Sequence, residues 1–254
     1  MFDKTNKLYV ILFAFGISLI CSVLITATAS GLKGFQQENI ALDKRVNLLR
    51  AAGIVPSDEK PDKEEATELF DTRIREVIVD GQGNITETDT PDGMHLYFVV
   101  DPEKQTGVSE DEITGYILPI NTRGLWGKIH GYLAFENDGQ TVSGFSVYNH
   151  AETPGLGGEI ERSWFQKNFK GKKILNSQDQ FVSVGIAKGK VDDMPQEKQA
   201  HYVDGISGAT LTGKYLSEGI EATLMKYEGV SISFRQKELK AKPGNTDTAT
   251  QHNE

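Results

Sequence analysis

The chain has 254 residues, of which 38% are hydrophobic and 25% charged, as in globular proteins with a buried core. Its net charge of −9 at pH 7 argues against nucleic acid as a partner, since phosphate binding requires a basic face. The single cysteine, Cys21, excludes an intramolecular disulfide, and the five histidines lack the close spacing of a zinc site. We therefore predict neither a structural metal nor a disulfide.

The first element in chain order is an apolar segment, which we assign to residues 8–30. No charged residue lies between Leu8 and Ala29, and a helix of this length spans the roughly 30 Å hydrocarbon core of a bilayer. We predict a single transmembrane helix behind a basic flank at residues 1–7. A signal peptide is the alternative, because Ala27-Thr28-Ala29 resembles a cleavage site, but the apolar run is longer than usual for one. Lysines on both sides of the span leave its orientation undetermined.

Residues 31–60 are interpreted as a juxtamembrane helix and a linker. Apolar residues recur among charges from Gln36 to Ala52, which predicts that a helix continues out of the membrane. The stretch VPSDEKPDKEE at 55–65 has the prolines and charges of a linker. Helical spacing then predicts a helix over Asp62–Arg75, with acidic residues in its first turn.

Residues 61–236 are predicted to form one mixed α+β domain, in which short strands alternate with turn residues. Two helices interrupt the strands, a short one near 164–169 and a longer one near 211–227, whose Leu216, Ile220 and Leu224 recur every four residues. The strands are centred on Ile78, Tyr97, Ile117, Tyr132, Phe145 and Val184. The polar tail at 237–254 is predicted to be disordered.

The stretch DGISGATLT, at residues 204–212, precedes the longer helix. A helix N-terminus offers free backbone N–H groups and a partial positive charge, and therefore binds anions such as phosphate. Gly205 and Gly208 allow the backbone to approach such a group closely. From the residue types alone, the alternative is that Ser207 or Thr210 simply caps the helix.

Two further stretches suggest a ligand site. NHAETPGLGGE, at 149–159, is a loop rich in glycine, with polar groups on Glu152 and Thr153 and an apolar side chain on Leu156. GLWGKIHGYLAF, at 124–135, places Trp126 between glycines, where its face could stack on an aromatic ligand. Each stretch alone is also compatible with a purely structural role, as a turn of the chain or a core aromatic.

The string D-x-x-S-G-A-T at 204–210 resembles the flavinylation motif of the FMN-binding domain family. The resemblance implies that Thr210 carries FMN through a phosphoester bond, which a separate flavin transferase installs. It also implies that the glycine-rich loop lies near the FMN. The candidate FMN-binding residues are Asp204, Ser207, Gly208, Ala209, Thr210, Thr212, Trp126, Glu152, Thr153, Gly155, Leu156 and Gly157, and we predict that Glu152 and Thr153 tune the flavin potential.

The apolar span followed by these three motifs resembles the family of C subunits of sodium-translocating NADH:quinone oxidoreductases. The resemblance implies an electron relay on the outer, periplasmic side of a bacterial inner membrane, beside partner subunits of the A, B, D, E and F types. It implies no NADH site in this chain, and no G-x-G-x-x-G stretch opens a helix after a strand. The span also contains no Asp, Glu, Lys, Arg or His, so we expect partner subunits to build the sodium path.

Two alternatives stay open. The G subunit of Rnf-type ferredoxin:NAD oxidoreductases shares the H-x-E-T-P-G-L-G loop and the SGAT string, although the second glycine of GLGGE and the preceding GLWG favour the quinone-linked family. The other alternative is a membrane-tethered module that binds a ligand without a covalent flavin.

Overall fold

The computed structural model describes residues 7–86, 93–104 and 112–237. Helix α1, Lys7–Ala51, has 45 residues and is the one helix in these ranges that is long and apolar enough to cross a membrane. Its most apolar window has a mean hydropathy of 2.7 and is not buried by other parts of the chain. Contacts divide the chain into two compact units, which meet between Asp43 and Lys44.

The second unit is built on a six-stranded antiparallel sheet. Helix α2, Lys63–Arg73, precedes the sheet and begins at Asp62, whose carboxylate accepts a hydrogen bond from the Glu65 amide. The strand order is β2-β1-β3-β4-β5-β6. The strands are β1 Ile74–Val79, β2 Ile85–Thr86, β3 Met94–Val100, β4 Ile113–Arg123, β5 Lys128–Glu136 and β6 Val142–Asn149.

Short elements follow the sheet and lead to two C-terminal helices. After β6 and a loop at 150–156 come a 3-10 helix at Gly157–Glu161 and helix α3, Ser163–Lys167. Strands β7, Gly185–Ile186, and β8, Tyr202–Val203, form a separate parallel pair, and helix α4, Gln196–Gln199, lies between them in sequence. Helix α5, Thr210–Lys226, and helix α6, Glu228–Gln236, complete the described chain.

The sheet is buried on both faces, because successive side chains of a strand point to opposite sides. On β4, Tyr116 and Leu118 belong to the larger core together with α5, whereas Ile117 belongs to a smaller core. Leu48 and Leu49, at the end of α1, also belong to that smaller core. The last residues of α1, which the sequence assigned to a juxtamembrane segment, therefore contribute to the domain interior.

The structure confirms five of the six predicted strands and the two predicted helices after them. The prediction of a strand centred on Val184 was wrong in extent, since only Gly185 and Ile186 pair with β8. Helix α6 was not predicted. Lys4 in the basic flank and the tail beyond Lys237 lie outside the described residues.

Candidate functional site

The loop between β4 and β5 is the tight turn formed by Gly124, Leu125, Trp126 and Gly127. The Gly124 amide donates to the Gly127 carbonyl over 2.6 Å. A Cβ on Gly124 would lie 2.5 Å from Glu152 Oε1, and one on Gly127 would lie 2.7 Å from Ala151 Cβ. The two glycines therefore let this loop lie directly against the glycine-rich loop, while the Trp126 side chain stays 70% exposed.

Residues Thr153 to Leu156 form a turn with the features of type II. The Leu156 amide donates to the Thr153 carbonyl over 3.1 Å, and Pro154 and Gly155 occupy the two central positions. Gly155 has φ +76°, which the third position of a type II turn requires. The turn leaves the Leu156 side chain 43% exposed.

A second turn of the same kind leads into α5. The Ala209 amide donates to the Ile206 carbonyl over 3.0 Å, and Gly208 has φ +75° at the third position. A Cβ on Gly208 would lie 2.8 Å from Leu156 Cδ2. The two motifs, distant in sequence, therefore touch through their turns.

The N-terminus of α5 has no side-chain cap. The residue at the cap position is Ala209, which makes no capping hydrogen bond, and alanine is among the poorest residues there. The alternative that Ser207 or Thr210 caps the helix is therefore wrong: Ser207 lies exposed in the preceding turn, and Thr210 is the first helical residue, with an exposed side chain. No acidic residue occupies the first turn, so the helix presents its positive end to an anion.

Glu152 joins the three motifs from beneath the surface. Its side chain is buried, with 4% exposure. Oε1 accepts a hydrogen bond from the Trp126 amide over 2.9 Å, and Oε2 accepts one from Thr212 Oγ1 over 2.5 Å. A Cβ on Gly157 would lie 2.7 Å from Oε2, so only glycine fits there. Glu152 thus holds the tryptophan loop and the first turn of α5 against the glycine-rich loop.

The Asp204 side chain makes a hydrogen bond within the protein. Its Oδ1 accepts a hydrogen bond from the Val191 amide over 2.7 Å, which fixes the segment before β8. Lys172 lies close enough to interact with Asp204, and its Nζ donates to the Gln199 carbonyl over 2.8 Å. Burial lowers the pKa of the Lys172 ammonium, and Asp204 and Asp192 oppose that change.

A cleft of about 450 Å³ opens beside Thr210, between α5 and the segment that contains β7. Its walls are largely apolar, and Leu211 at its edge is 48% exposed. The volume lies within the range of small-molecule sites. Its lining residues include Val182, Ser183, Val184, Ile186, Tyr202 and Ile206.

The structure brings together most of the residues that the sequence singled out. Ser207, Gly208, Ala209, Thr210, Leu156, Gly155 and Gly157 lie in or beside the two adjoining turns, and Trp126, Glu152 and Thr212 are linked by hydrogen bonds. The Asp204 side chain instead binds the backbone of Val191. Thr153 contributes its carbonyl to the turn, while its side chain is exposed.

The part of the chain that contains the three motifs matches a known protein family. Residues 124–225 match the FMN-binding domain family. The C subunit of the Na(+)-translocating NADH-quinone reductase of Vibrio alginolyticus is 33% identical over 82% of this chain and 85% of its own length. The corresponding Pseudomonas aeruginosa protein is 34% identical over 84% of this chain and 90% of its own. This chain belongs to that family of C subunits.

A solved structure of the family shows the same fold. The Parabacteroides distasonis member superposes with a TM-score of 0.65 at 29% identity, and the match covers 79% of this chain and 96% of that one. The sequence-based assignment to the family and to an α+β FMN-binding domain behind one long apolar helix is confirmed.

The residues present fit FMN, which combines an anionic phosphate, a polyol chain and a flat aromatic ring. The uncapped end of α5 suits the phosphate, and the exposed Trp126 and Leu156 offer apolar surface to the ring. Within residues 7–86, 93–104 and 112–237, no group of three His, Cys, Asp or Glu side chains could hold a metal ion.

Sequence reasoning missed several contributors. Glu152 and its hydrogen-bond partners Trp126 and Thr212 are called the Glu152 joint below. Gly124 packs against this joint, and His150 accepts a hydrogen bond from the Glu152 amide over 3.1 Å. The flanking glycines of the GLWG loop were visible in the sequence, but the contact of Gly124 with Glu152, 28 residues downstream, was not. The cleft residues between Val182 and Lys188 carry no motif that could have marked them.

Proposed function

We propose that this chain is the membrane-anchored flavoprotein subunit of a sodium-pumping NADH:quinone oxidoreductase, and that it relays electrons through FMN held on Thr210 by a phosphoester bond. The observation that carries the proposal is the position of Thr210. Its hydroxyl stands exposed on the first residue of an uncapped helix, within an SGAT string, in a chain of the C-subunit family.

Attachment requires a donor in which FMN is part of a phosphoanhydride. The bond from Thr210 Oγ1 to phosphorus forms while an anhydride P–O bond breaks, the second nucleotide leaves with that oxygen, and the threonine proton passes to a base. Among the hydrogen bonds of the described residues, none links the Thr210 hydroxyl to a carboxylate or an imidazole. A separate flavin transferase therefore supplies the base.

The chain's own residues hold and orient the product. The backbone N–H groups at the start of α5 face the remaining negative charge of the phosphodiester, which the helix dipole stabilises. Glu152 fixes the loop that presents Trp126, so the aromatic side chain is positioned before any ligand arrives. FMN, when bound, accepts and releases electrons one at a time, and the protein tunes its potential by hydrogen bonds and nearby charge.

Helix α1 is the proposed membrane anchor. Its apolar part is long enough to span a bilayer, and Leu8–Ala29 contain no ionisable side chain other than Tyr9 and Cys21. We place the protein in a bacterial inner membrane with the FMN domain on the outer, periplasmic side. Partner subunits of the A, B, D, E and F types supply the other redox centres and the sodium path.

The test is the mass of the denatured full-length chain after co-expression with an active flavin transferase. The wild-type chain should gain the mass of FMN less one water, and a peptide map should place this gain on Thr210. The Thr210→Ala chain should keep its unmodified mass. Transferase activity is verified in parallel on a flavinylated relative of this chain.

Unmodified wild-type protein under these conditions would refute covalent attachment. If that protein is yellow before denaturation and loses its flavin afterwards, the tethered binding module is the correct function.

A further inference from the structure

His150, at the start of the glycine-rich loop, contacts that loop at two separate points. It follows β6 directly, and its side chain is 12% exposed. The Glu152 amide lies 3.1 Å from its Nδ1. A Cβ on Gly158 would lie 3.4 Å from its Cε1, in van der Waals contact with the ring. The imidazole is therefore packed against both the beginning and the end of the loop.

The hydrogen bonds of His150 identify its tautomer. A backbone N–H group only donates, so Nδ1 must accept from the Glu152 amide and carries no hydrogen. Nε2 then carries the ring hydrogen and donates it to Glu161 Oε2, which lies 3.3 Å away. His150 thus joins Glu152 on one side to the 3-10 helix at Gly157–Glu161 on the other.

The two hydrogen bonds of His150 are not equivalent. The Glu161 side chain is 56% exposed, and exposed pairs of this kind contribute little, because water competes for both partners. The bond to the Glu152 amide is partly buried. Among the hydrogen bonds of the described residues, it is the one that the Glu152 amide makes. Loss of the acceptor at Nδ1 should therefore disturb the loop more than loss of the partner of Nε2.

The Glu152 backbone matters because it carries the centre of the Glu152 joint. Oε1 accepts from the Trp126 amide, and Oε2 accepts from the Thr212 hydroxyl. Both bonds need a defined position of the carboxylate, since hydrogen bonds weaken steeply when their geometry is poor. A connected path therefore runs from His150 Nδ1 through Glu152 to the backbone of Trp126.

We propose that His150 is a positioning residue of the FMN site: its Nδ1 fixes the backbone of Glu152, whose carboxylate in turn holds the Trp126 loop beside the flavin. The contacts from His150 to Trp126 are present in the chain without flavin. Only the last step, from the Glu152 joint to the flavin, rests on the proposed function.

Two substitutions separate the roles of the two ring nitrogens. His150→Asn places an amide oxygen at the position of Nδ1 and no group at that of Nε2, and asparagine commonly accepts from the N–H group two residues further on. His150→Gln reaches the position of Nε2 instead and offers no acceptor at that of Nδ1. Glu161→Ala is the matched control, because it removes the partner of Nε2 and leaves the imidazole in place.

The first measurement is amide hydrogen exchange of Trp126 in the full-length chain without flavin, because this amide bonds directly to Glu152 Oε1. His150→Gln should increase its exchange rate about fivefold, the equivalent of one hydrogen bond, whereas His150→Asn and Glu161→Ala should keep the wild-type rate. Cooperative thermal unfolding verifies that each variant is folded. The nitrogen-15 spectrum of the His150 ring should show Nδ1 without hydrogen and Nε2 with it.

The second measurement is the flavin midpoint potential of the same variants after flavinylation. A Glu152 carboxylate that is held less firmly gains contact with water, which screens its negative charge, so His150→Gln should raise the potential. The rise should be smaller than in Glu152→Gln, which removes the charge altogether. His150→Asn keeps the acceptor and should shift the potential less than His150→Gln.

The outcomes separate the two proposals. If the Trp126 amide exchanges in His150→Gln as in the wild type, or equally fast in His150→Asn and His150→Gln, Nδ1 does not position the joint and the inference is wrong. A hydrogen on Nδ1 in the nitrogen-15 spectrum would overturn it as well. If exchange responds as expected but the flavinylated variants keep the wild-type potential, the last step is wrong. If the mass shows no FMN, the proposed function fails, while the exchange rates still decide the role of His150.

Discussion

Replacing Thr212 by valine removes one hydroxyl from the joint around Glu152 while nearly conserving side-chain volume. Thr212 is 1% exposed, and its Oγ1 donates to Glu152 Oε2 over 2.5 Å. A hydrogen bond to a charged group contributes about 1.5–3 kcal/mol, and its loss here leaves a buried carboxylate oxygen unpaired. We therefore expect Thr212→Val to lower the free energy of unfolding by about 1.5–3 kcal/mol.

The matched control is Thr212→Ser, which keeps the hydroxyl and deletes only a methyl group. Loss of one buried methyl costs about 1 kcal/mol. Threonine, valine and serine differ little in helix propensity, so the comparison isolates the oxygen. Denaturant unfolding of the full-length chain, monitored by far-ultraviolet circular dichroism, measures the free energy of unfolding of both variants. The values are compared at an equal dependence of that free energy on denaturant concentration.

A double-mutant cycle sharpens the comparison. In Glu152→Gln the amide oxygen can still accept from the Trp126 amide, and the amide NH₂ can donate to the Thr212 hydroxyl. Thr212→Val then removes a hydrogen bond to a neutral amide rather than to a carboxylate, so it should cost less stability in the Glu152→Gln background than in the wild type, and that difference is the coupling between the two sites. If Thr212→Val is as stable as Thr212→Ser, and the cycle shows no coupling, the Glu152 joint does not stabilise the domain.

Three further predictions concern other parts of the fold. Burial raises the pKa of Tyr116, so the unfolded chain loses this proton from about pH 10 while the folded chain keeps it. Tyr116 alone should therefore lower stability by about 1.4 kcal/mol per pH unit above that point, and the fall should be less steep by this amount in Tyr116→Phe, as measured by unfolding at graded alkaline pH. Gly219→Ala should destabilise the domain by about 1–3 kcal/mol, despite alanine's better helix propensity, because its Cβ would overlap Thr122 on β4; unchanged thermal unfolding would contradict this packing. Glu152→Gln should raise the flavin midpoint potential by removing a buried negative charge, whereas Thr153→Ala tests the exposed neighbour; if neither changes the potential or the electron-transfer rate, these residues do not tune the flavin.

Local patterns were enough to predict the elements that bury one regular face. Leu216, Ile220 and Leu224 predicted α5 by their four-residue spacing, and all three are fully buried. Helix α6 was not predicted, because its apolar residues Val230, Ile232 and Phe234 recur at every second position, a spacing that also suits a strand. Packing decides between the two: Val230 and Phe234 are buried, and Ile232 is 37% exposed.

The geometry of the site depends on contacts that no local pattern encodes. Glu152 and Thr212 are 60 residues apart in sequence, and only the packing of α5 beside the glycine-rich loop brings their side chains together. The sequence predicted that both residues belong to the site, but not that one bonds the other.

The alanine at the start of α5 has a consequence for how the protein matures. The longest helix of the domain begins without the side-chain cap that contributes about 1 kcal/mol elsewhere. A phosphodiester on Thr210 would place oxygen acceptors where a serine or aspartate cap normally supplies them. The cofactor would then complete the helix as well as carry electrons, so a chain that escaped flavinylation would be both redox-inactive and easier to unfold. Proteolytic quality control could therefore distinguish finished subunits from unfinished ones by stability alone.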